Sequence, residues 1–88
     1  MYLIVFYDIK TGKRSPKVLK YLRRQLIWVQ NSVFEGEVTE LQYKQIKDAL
    51  GEIISKEKDS VIIYSFASMQ YSKRTVIGIE KNTTDGFI

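Results

Sequence analysis

Residues 2–9 read Tyr-Leu-Ile-Val-Phe-Tyr-Asp-Ile, and nearly all of them are β-branched or aromatic. Such a run is typical of a β-strand that is covered on both faces. Residues 10–13, Lys-Thr-Gly-Lys, end the run with a turn. Ser15 followed by Pro16 then predicts the start of a helix, with serine as the N-cap and proline at the first helical position.

The predicted first helix has one apolar side and one basic side. Its apolar residues recur at helical spacing and form one stripe: Val18, Leu19, Leu22 and Leu26. Its basic residues fall largely off that stripe: Lys17, Lys20, Arg23 and Arg24. We therefore expect the apolar side to pack on the protein and the basic side to face solvent.

A second strand region and a second helix follow. Residues 27–38 are strand-like, but polar residues and a glycine interrupt them, which predicts a bend or two short strands. Thr39 with Gln42 three residues later forms a capping box. The second helix is therefore expected to begin there and to end near Lys56–Asp59.

The remaining sequence predicts two more strands, at Ser60–Phe66 and at Thr75–Ile79. The complete order is that of an α+β, ferredoxin-like β-α-β-β-α-β sandwich with an additional C-terminal strand and both helices on one face of the sheet. We expect residues 1–81 to form one domain and residues 82–88 a tail, because no repeat or linker-like stretch divides the chain. This fold carries many unrelated functions, so function has to be argued from the site.

Composition restricts the chemistry. The 88 residues include neither cysteine nor histidine, which excludes disulfides, thiolate zinc sites, cysteine nucleophiles and imidazole bases or ligands. Catalysis would have to use carboxylate, amine, hydroxyl or guanidinium groups, together with an oxygen-preferring cation such as magnesium. The apolar runs are too short for a signal core or a membrane span, so we expect a soluble, cytoplasmic protein.

The net charge of +4 is unevenly distributed. Between Asp8 and Glu35 there is no acid, and all seven charged residues in that interval are basic: Lys10, Lys13, Arg14, Lys17, Lys20, Arg23 and Arg24. This basic segment on an otherwise mildly acidic chain suggests a polyanionic partner. An ordinary solvated helix face explains the charge equally well.

Two kinds of residue could carry function on the predicted sheet. Asp8 stands at the carboxyl end of the first strand, where it could bind a cation, although an acid in that position is more often a solvated turn residue. Aromatic residues on the predicted strands could stack nucleobases: Tyr2, Phe6, Tyr7, Phe34, Tyr64 and Phe66. Core packing is the better interpretation of these aromatic residues, because the sequence signature of RNA-recognition domains is missing.

Two separated motifs resemble a known family. Tyr7-Asp8-Ile9 ends the first strand, a basic helix follows, and residues 29–36 read Val-Gln-Asn-Ser-Val-Phe-Glu-Gly. This arrangement is similar to the CRISPR-associated protein two family, over a match that runs in order from Tyr2 to about Val38. The resemblance implies a small ferredoxin-like homodimer that works with the CRISPR-associated protein one integrase in spacer acquisition. It also implies a magnesium-dependent endonuclease acting on RNA or DNA, with Asp8 as metal ligand and catalytic residue.

The resemblance leads to specific expectations for the dimer, the metal site and the nucleic-acid contacts. A two-fold axis near the ends of the two first strands would bring two copies of Asp8 together around one magnesium or manganese ion. Six basic residues are the expected contacts to duplex DNA or RNA: Lys13, Arg14, Lys17, Lys20, Arg23 and Arg24. The segment at Thr75–Ile79, followed by the tail, is expected to add to the sheet edge of the partner.

Two other functions remain open at this stage. The first is a purely architectural subunit that bridges integrase dimers and contacts the DNA backbone without hydrolysing it. The second is a toxin-like ribonuclease of the same fold. Metal-dependent turnover separates the first from an endonuclease, and the neighbouring genes separate the second.

Overall fold

The computed structural model describes residues 1–69 and 73–82, and its elements follow the predicted order. There are four strands, β1 (Tyr2–Asp8), β2 (Ile27–Gln30), β3 (Val33–Glu37) and β4 (Ser60–Phe66), and two helices, α1 (Arg14–Gln25) and α2 (Glu40–Ile53). Neither helix in this described part of the chain is long and apolar enough to cross a membrane.

The strands form one antiparallel sheet in the order β2-β3-β1-β4. Strand β1 therefore lies in the middle, between β3 and β4, and each helix connects two strands that are not neighbours in the sheet. This topology confirms the ferredoxin-like α+β arrangement. The register places Asp8 opposite Ser60, at one end of the β1–β4 pair.

The core lies between the sheet and the two helices. Its buried residues alternate along β1 and β3 and recur at helical spacing in α1 and α2: Leu3, Val5, Val18, Leu22, Leu26, Phe34, Val38, Ile46 and Leu50. Strand β1 was expected to be covered on both faces, and in the described chain the second face is covered only in part. The helices cover one face only, and the opposite face, here called the open face, leaves Phe6, Ile62 and Tyr64 exposed.

The capping box at the start of α2 is confirmed, with a hydrogen bond in each direction between Thr39 and Gln42. The end of α2 comes earlier than expected, at Ile53, because the carboxylate of Asp59 accepts the backbone N–H of Ser55 and organises a turn there. A helix that continued to Asp59 could not form this hydrogen bond.

Helix α1 begins before the predicted N-cap. The hydroxyl of Thr11 accepts the backbone N–H groups of Lys13 and Arg14, both at 3.3 Å. The Thr11 carbonyl accepts the N–H of Ser15 at 3.2 Å. These bonds hold the turn that precedes the N-cap residue, Lys13, whose own side chain makes no cap hydrogen bond. Pro16 is tolerated because it is the third residue of α1 and still lies in the first turn, where its missing N–H has no partner to lose.

Residues 27–38 were expected to form either one bent strand or two short strands, and the structure has two strands, β2 and β3. The turn between them includes Asn31, whose φ of 43° lies in the left-handed region that asparagine tolerates. In β3, a Cβ at Gly36 would lie 3.0 Å from Leu26 Cδ2. Glycine there lets the start of β2 approach the sheet closely.

The expected strand at Thr75–Ile79 is not formed in the described chain. A strand requires the hydrogen-bonding edge of a neighbouring strand, and this segment instead lies across the open face, with Ile77 and Ile79 largely exposed. Residues 83–88 of the expected tail lie outside the described residues.

Candidate functional site

Asp8 is the last residue of β1, and its side chain is 69% exposed. It lies on the open face, because its β4 partner is Ser60 and the pair continues the alternation of Phe6 with Ile62. The ammonium group of Lys10 lies 3.1 Å from Asp8 Oδ2. The carboxylate is thus accessible at the end of the sheet and already has one cation beside it.

The loop that follows Asp8 is held by a buried carboxylate. The side chain of Asp59 is 0% exposed and accepts the backbone N–H of Lys10 at 2.9 Å and that of Ser55 at 2.8 Å. It also accepts two hydrogen bonds from the guanidinium group of Arg14, at 2.6 and 3.0 Å. Asp59 therefore joins the end of β1, the start of α1 and the turn before β4.

These contacts set the ionisation of Asp59. The hydrogen bond from Arg14 is the largest cause that holds the pKa of Asp59 well below its usual range, and the N–H groups of Lys10 and Ser55 act in the same direction. Burial alone would raise that pKa, so the four donors outweigh it. Sequence reasoning did not identify Asp59, because two of its three partners, Arg14 and Lys10, lie 45 and 49 residues away along the chain.

The basic segment divides into two groups in the structure. Four of its residues are exposed and follow one another at intervals of four, three and four residues, which places them on one side of α1: Lys13, Lys17, Lys20 and Arg24. We call this set the basic stripe. Arg23 is also exposed but lies about 100° away around the helix from Arg24.

Arg14 differs from the rest of the predicted nucleic-acid contacts. Its side chain is 24% exposed, and its guanidinium group binds Asp59 through two nitrogen atoms. The hydrogen bond to Asp59 raises the pKa of Arg14 further. This pairing gives Arg14 a role in holding α1 to the turn before β4.

The aromatic residues on the strands also separate by face. Phe34 is fully buried and stacks with Tyr7 at a centroid distance of 6.3 Å. Burial is the largest cause that raises the pKa of Tyr7. Phe6 and Tyr64 form an edge-to-face pair at 5.8 Å on the open face, where both are exposed. Core packing thus accounts for Phe34 and Tyr7, whereas Phe6 and Tyr64 lie on the surface of the protein.

A polar cluster anchors the segment that crosses the open face. Arg74 Nε lies 2.7 Å from a Glu35 carboxylate oxygen, and its Nη1 lies 2.8 Å from Glu80. Burial and then the negative charge of Glu35 raise the pKa of Tyr2 to about 12. A groove of about 360 Å³ lies between this segment and the sheet, with Ile4 and Val33 among its walls. Arg74 therefore fixes one end of a partly covered groove that is lined by both apolar and polar residues.

The residues present can hold a divalent cation only in part. Among residues 1–69 and 73–82, no group of three acidic side chains is close enough to bind a metal ion. Asp8 is an accessible oxygen donor of the kind that magnesium and manganese prefer. Within the described residues, the chain supplies a single such carboxylate at this position.

Comparison with known proteins agrees with the fold and the motifs. The family model described as CRISPR associated protein Cas2 matches residues 1–74. A protein of Methanothermobacter thermautotrophicus named CRISPR-associated endoribonuclease Cas2 is 52% identical over 97% of this chain and 92% of its own length. The protein of the same name from Thermococcus kodakarensis is 50% identical over the full length of both chains. A solved structure described as a crystal structure of Cas2 superposes with a TM-score of 0.82 at 38% identity, over 100% of this chain and 98% of that one.

Proposed function

The chain belongs to the family of the CRISPR-associated protein Cas2, and we propose that it acts as a homodimeric, metal-dependent endonuclease in a CRISPR system. The observation that carries this proposal is the exposed Asp8 carboxylate at the end of β1, next to the loop that leads into a basic helix. Relatives of similar length are named endoribonucleases, which supports hydrolysis of a phosphodiester bond. RNA is the first substrate to test and duplex DNA the second.

The open face supports a homodimer. It exposes an aromatic pair and Ile62 beside a partly covered groove, and exposed large apolar side chains grouped in this way are typical of an interface. A small domain gains stability when association buries more apolar surface than one chain can bury. Asp8 lies at the end of the same face, so pairing through this face would bring the two Asp8 residues towards each other.

Two Asp8 carboxylates in a dimer would bind one magnesium or manganese ion. Without a cation their like charges would repel, so the shared ion also stabilises the assembly at this point. A bound ion of this type supplies Lewis acidity towards a phosphodiester oxygen. The protein would contribute the position of the carboxylates, which is set by strand β1 and by the loop that Asp59 holds.

The basic stripe would hold the nucleic acid. Its four exposed cations lie on one side of α1 and would contact phosphates, which position the substrate without reading its sequence. Arg23 can add a fifth contact at the edge of the stripe. Arg14 is expected to contribute through its ion pair with Asp59, which keeps α1 in place.

A second function is favoured by one observation. Lys10 already neutralises Asp8 in the single chain, which suits a subunit that uses this end of the sheet for structure. Such a protein would bridge CRISPR-associated protein one integrase dimers during spacer acquisition and would bind the DNA backbone without hydrolysing it. Dimer, open face and basic stripe would serve this function equally.

Replacement of Asp8 distinguishes the two functions. Asp8→Asn removes the negative charge but keeps the size of the side chain, so we expect cleavage of RNA and DNA in magnesium or manganese to fall to background while nucleic-acid binding persists. Asp48→Asn is the matched control, because Asp48 is an exposed acid on α2. It should cleave as the unmodified protein does.

The contrary results are equally specific. Cleavage by highly purified Asp8→Asn protein would place the activity at another site or in a contaminant. If the unmodified protein cleaves neither nucleic acid between neutral and alkaline pH, the architectural function is the correct one.

A further inference from the structure

Lys10 is held at both of its ends. Its backbone N–H donates to the buried carboxylate of Asp59 at 2.9 Å, and its ammonium group donates to Asp8 Oδ2 at 3.1 Å. An exposed lysine ordinarily loses side-chain entropy when it enters an ion pair, which makes most such pairs weak. Here the buried anchor fixes the backbone of residue 10, so the side chain starts from a defined position two residues from its partner.

The position of this ammonium group matters because of what else would bind there. A divalent cation on Asp8 needs a lone pair of the same carboxylate and carries charge of the same sign as Lys10. The ammonium group takes one of the lone pairs of Oδ2, and its positive charge repels a metal ion bound to either oxygen of the carboxylate. In a dimer with two Asp8 residues, two copies of Lys10 would act in this way.

We propose that Lys10 competes with the divalent cation for Asp8 and so sets the metal concentration at which the site fills. This inference rests on the proposed function, because it requires Asp8 to be the metal ligand. Lys10 is then a residue of the site itself, and the affinity of the site for metal is a property of this lysine as much as of Asp8.

The test is a titration of the full chain with Mn²⁺, in which electron paramagnetic resonance measures the concentration of the free ion. Lys10→Gln removes the ammonium group but leaves the backbone N–H that binds Asp59, so the fold is expected to persist. We expect Lys10→Gln to bind Mn²⁺ about threefold to tenfold more tightly, in keeping with the modest strength of an exposed ion pair acting once in each chain. Lys10→Arg, which keeps the charge, should bind Mn²⁺ as the unmodified protein does.

Lys56→Gln is the matched control for net charge. Lys56 is an exposed lysine in the turn before β4, and its replacement removes the same charge. Its Mn²⁺ affinity should remain within about twofold of that of the unmodified protein, because the ammonium group that pairs with Asp8 is that of Lys10. Equal effects of Lys10→Gln and Lys56→Gln would overturn the proposal, as would weaker binding by Lys10→Gln.

The outcomes separate this inference from the proposed function. If the unmodified protein binds Mn²⁺ through Asp8 and Lys10→Gln changes nothing, competition is refuted and the metal site stands. If only Lys10→Gln binds Mn²⁺, competition is supported and the natural chain is architectural at this site. If neither binds, both the competition and the metal-dependent function are refuted.

Discussion

The two faces of the sheet are built from the same strands but differ in how far their apolar side chains are buried. On the helix face, Leu3 and Val5 of β1 are fully buried against α1 and α2. On the open face, Phe6 of the same strand is 39% exposed and its neighbour Ile62 is 50% exposed. In the described chain, the helices complete one face, and the segment that begins at Arg74 covers the second face only in part.

The charged residues show the same contrast. Towards the helix side, the Arg14–Asp59 pair is largely shielded from water and also receives two backbone N–H groups. The basic stripe on the outside of α1 is fully available. The open face therefore suits association with a second chain, whereas the outer side of α1 suits nucleic acid.

The largest expected effect follows from breaking the helix face. Leu22→Ala removes a fully buried side chain of α1, and the resulting cavity should lower the free energy of unfolding by about 2–5 kcal/mol. Urea denaturation at one fixed protein concentration measures this. Leu41→Ala is the control, since Leu41 is 65% exposed and should change stability by less than about 0.5 kcal/mol. Similar losses in both variants would mean that the core is not where the structure places it.

Association through the open face can be disrupted without unfolding the chain. Ile62→Asp places a carboxylate on the exposed apolar surface, and an unpaired charge buried in a dimer costs about 3 kcal/mol or more, which is about a hundredfold in the dissociation constant. Light scattering and sedimentation should show a folded monomer at micromolar concentration.

Leu41→Asp supplies the matched comparison for this surface. It introduces the same charge at an exposed leucine on α2, away from the open face, and should remain dimeric. A stable dimer of Ile62→Asp, or a monomer of the unmodified protein, would show that the open face is not the interface.

The shielded ion pair predicts a pH dependence. Because the hydrogen bond from Arg14 lowers the pKa of Asp59 in the folded protein, the native state binds this proton more weakly than the unfolded chain does. The stabilisation is therefore complete above the unfolded pKa of about 4 and is lost as the pH falls below it. Urea midpoints at pH 3, 4 and 7 should fall less steeply with acid in Asp59→Asn than in the unmodified protein or in Asp48→Asn. Parallel pH curves for all three proteins would contradict this role of Asp59.

The smallest expected effect is on the salt dependence of nucleic-acid binding, and it tests whether nucleic acid binds to the outer side of α1. Combined replacement of Lys17, Lys20 and Arg24 by glutamine should flatten the dependence of log affinity for duplex DNA on log salt by about 0.9 for each phosphate that is no longer neutralised. A control combination on α2, Lys44→Gln with Lys47→Gln, removes two charges instead of three and should leave the slope unchanged. If the slope is unaffected by the α1 replacements, the nucleic acid lies elsewhere.

Local signals in the sequence were enough for much of this architecture. The capping box at Thr39 and the apolar run of β1 act over a few residues, so both elements could be predicted. The exposed end-of-strand position of Asp8 followed from the boundary of that run. The start of α1 was displaced because the hydroxyl of Thr11, rather than that of Ser15, accepts the first N–H groups.

Features that depend on distant residues could not be predicted in this way. Asp59 is one acid among several near the end of α2, and only the fold brings Lys10 and Arg14 to it. The segment at Thr75–Ile79 has residues that favour a strand. A strand also needs the free hydrogen-bonding edge of a neighbouring strand, and the residue pattern of the segment does not show whether such an edge is available. The contact of Lys10 with Asp8 likewise depends on the backbone position set by Asp59.

The most direct measurement of the central claim is the stoichiometry of Mn²⁺ binding to the purified protein, with the oligomeric state determined in the same solution. If two chains share one ion through their Asp8 carboxylates, the titration should saturate at one tightly bound Mn²⁺ for every two chains, and this binding should disappear in Asp8→Asn while the dimer persists. Saturation at one ion for each chain, or tight binding that survives in Asp8→Asn, would contradict the account.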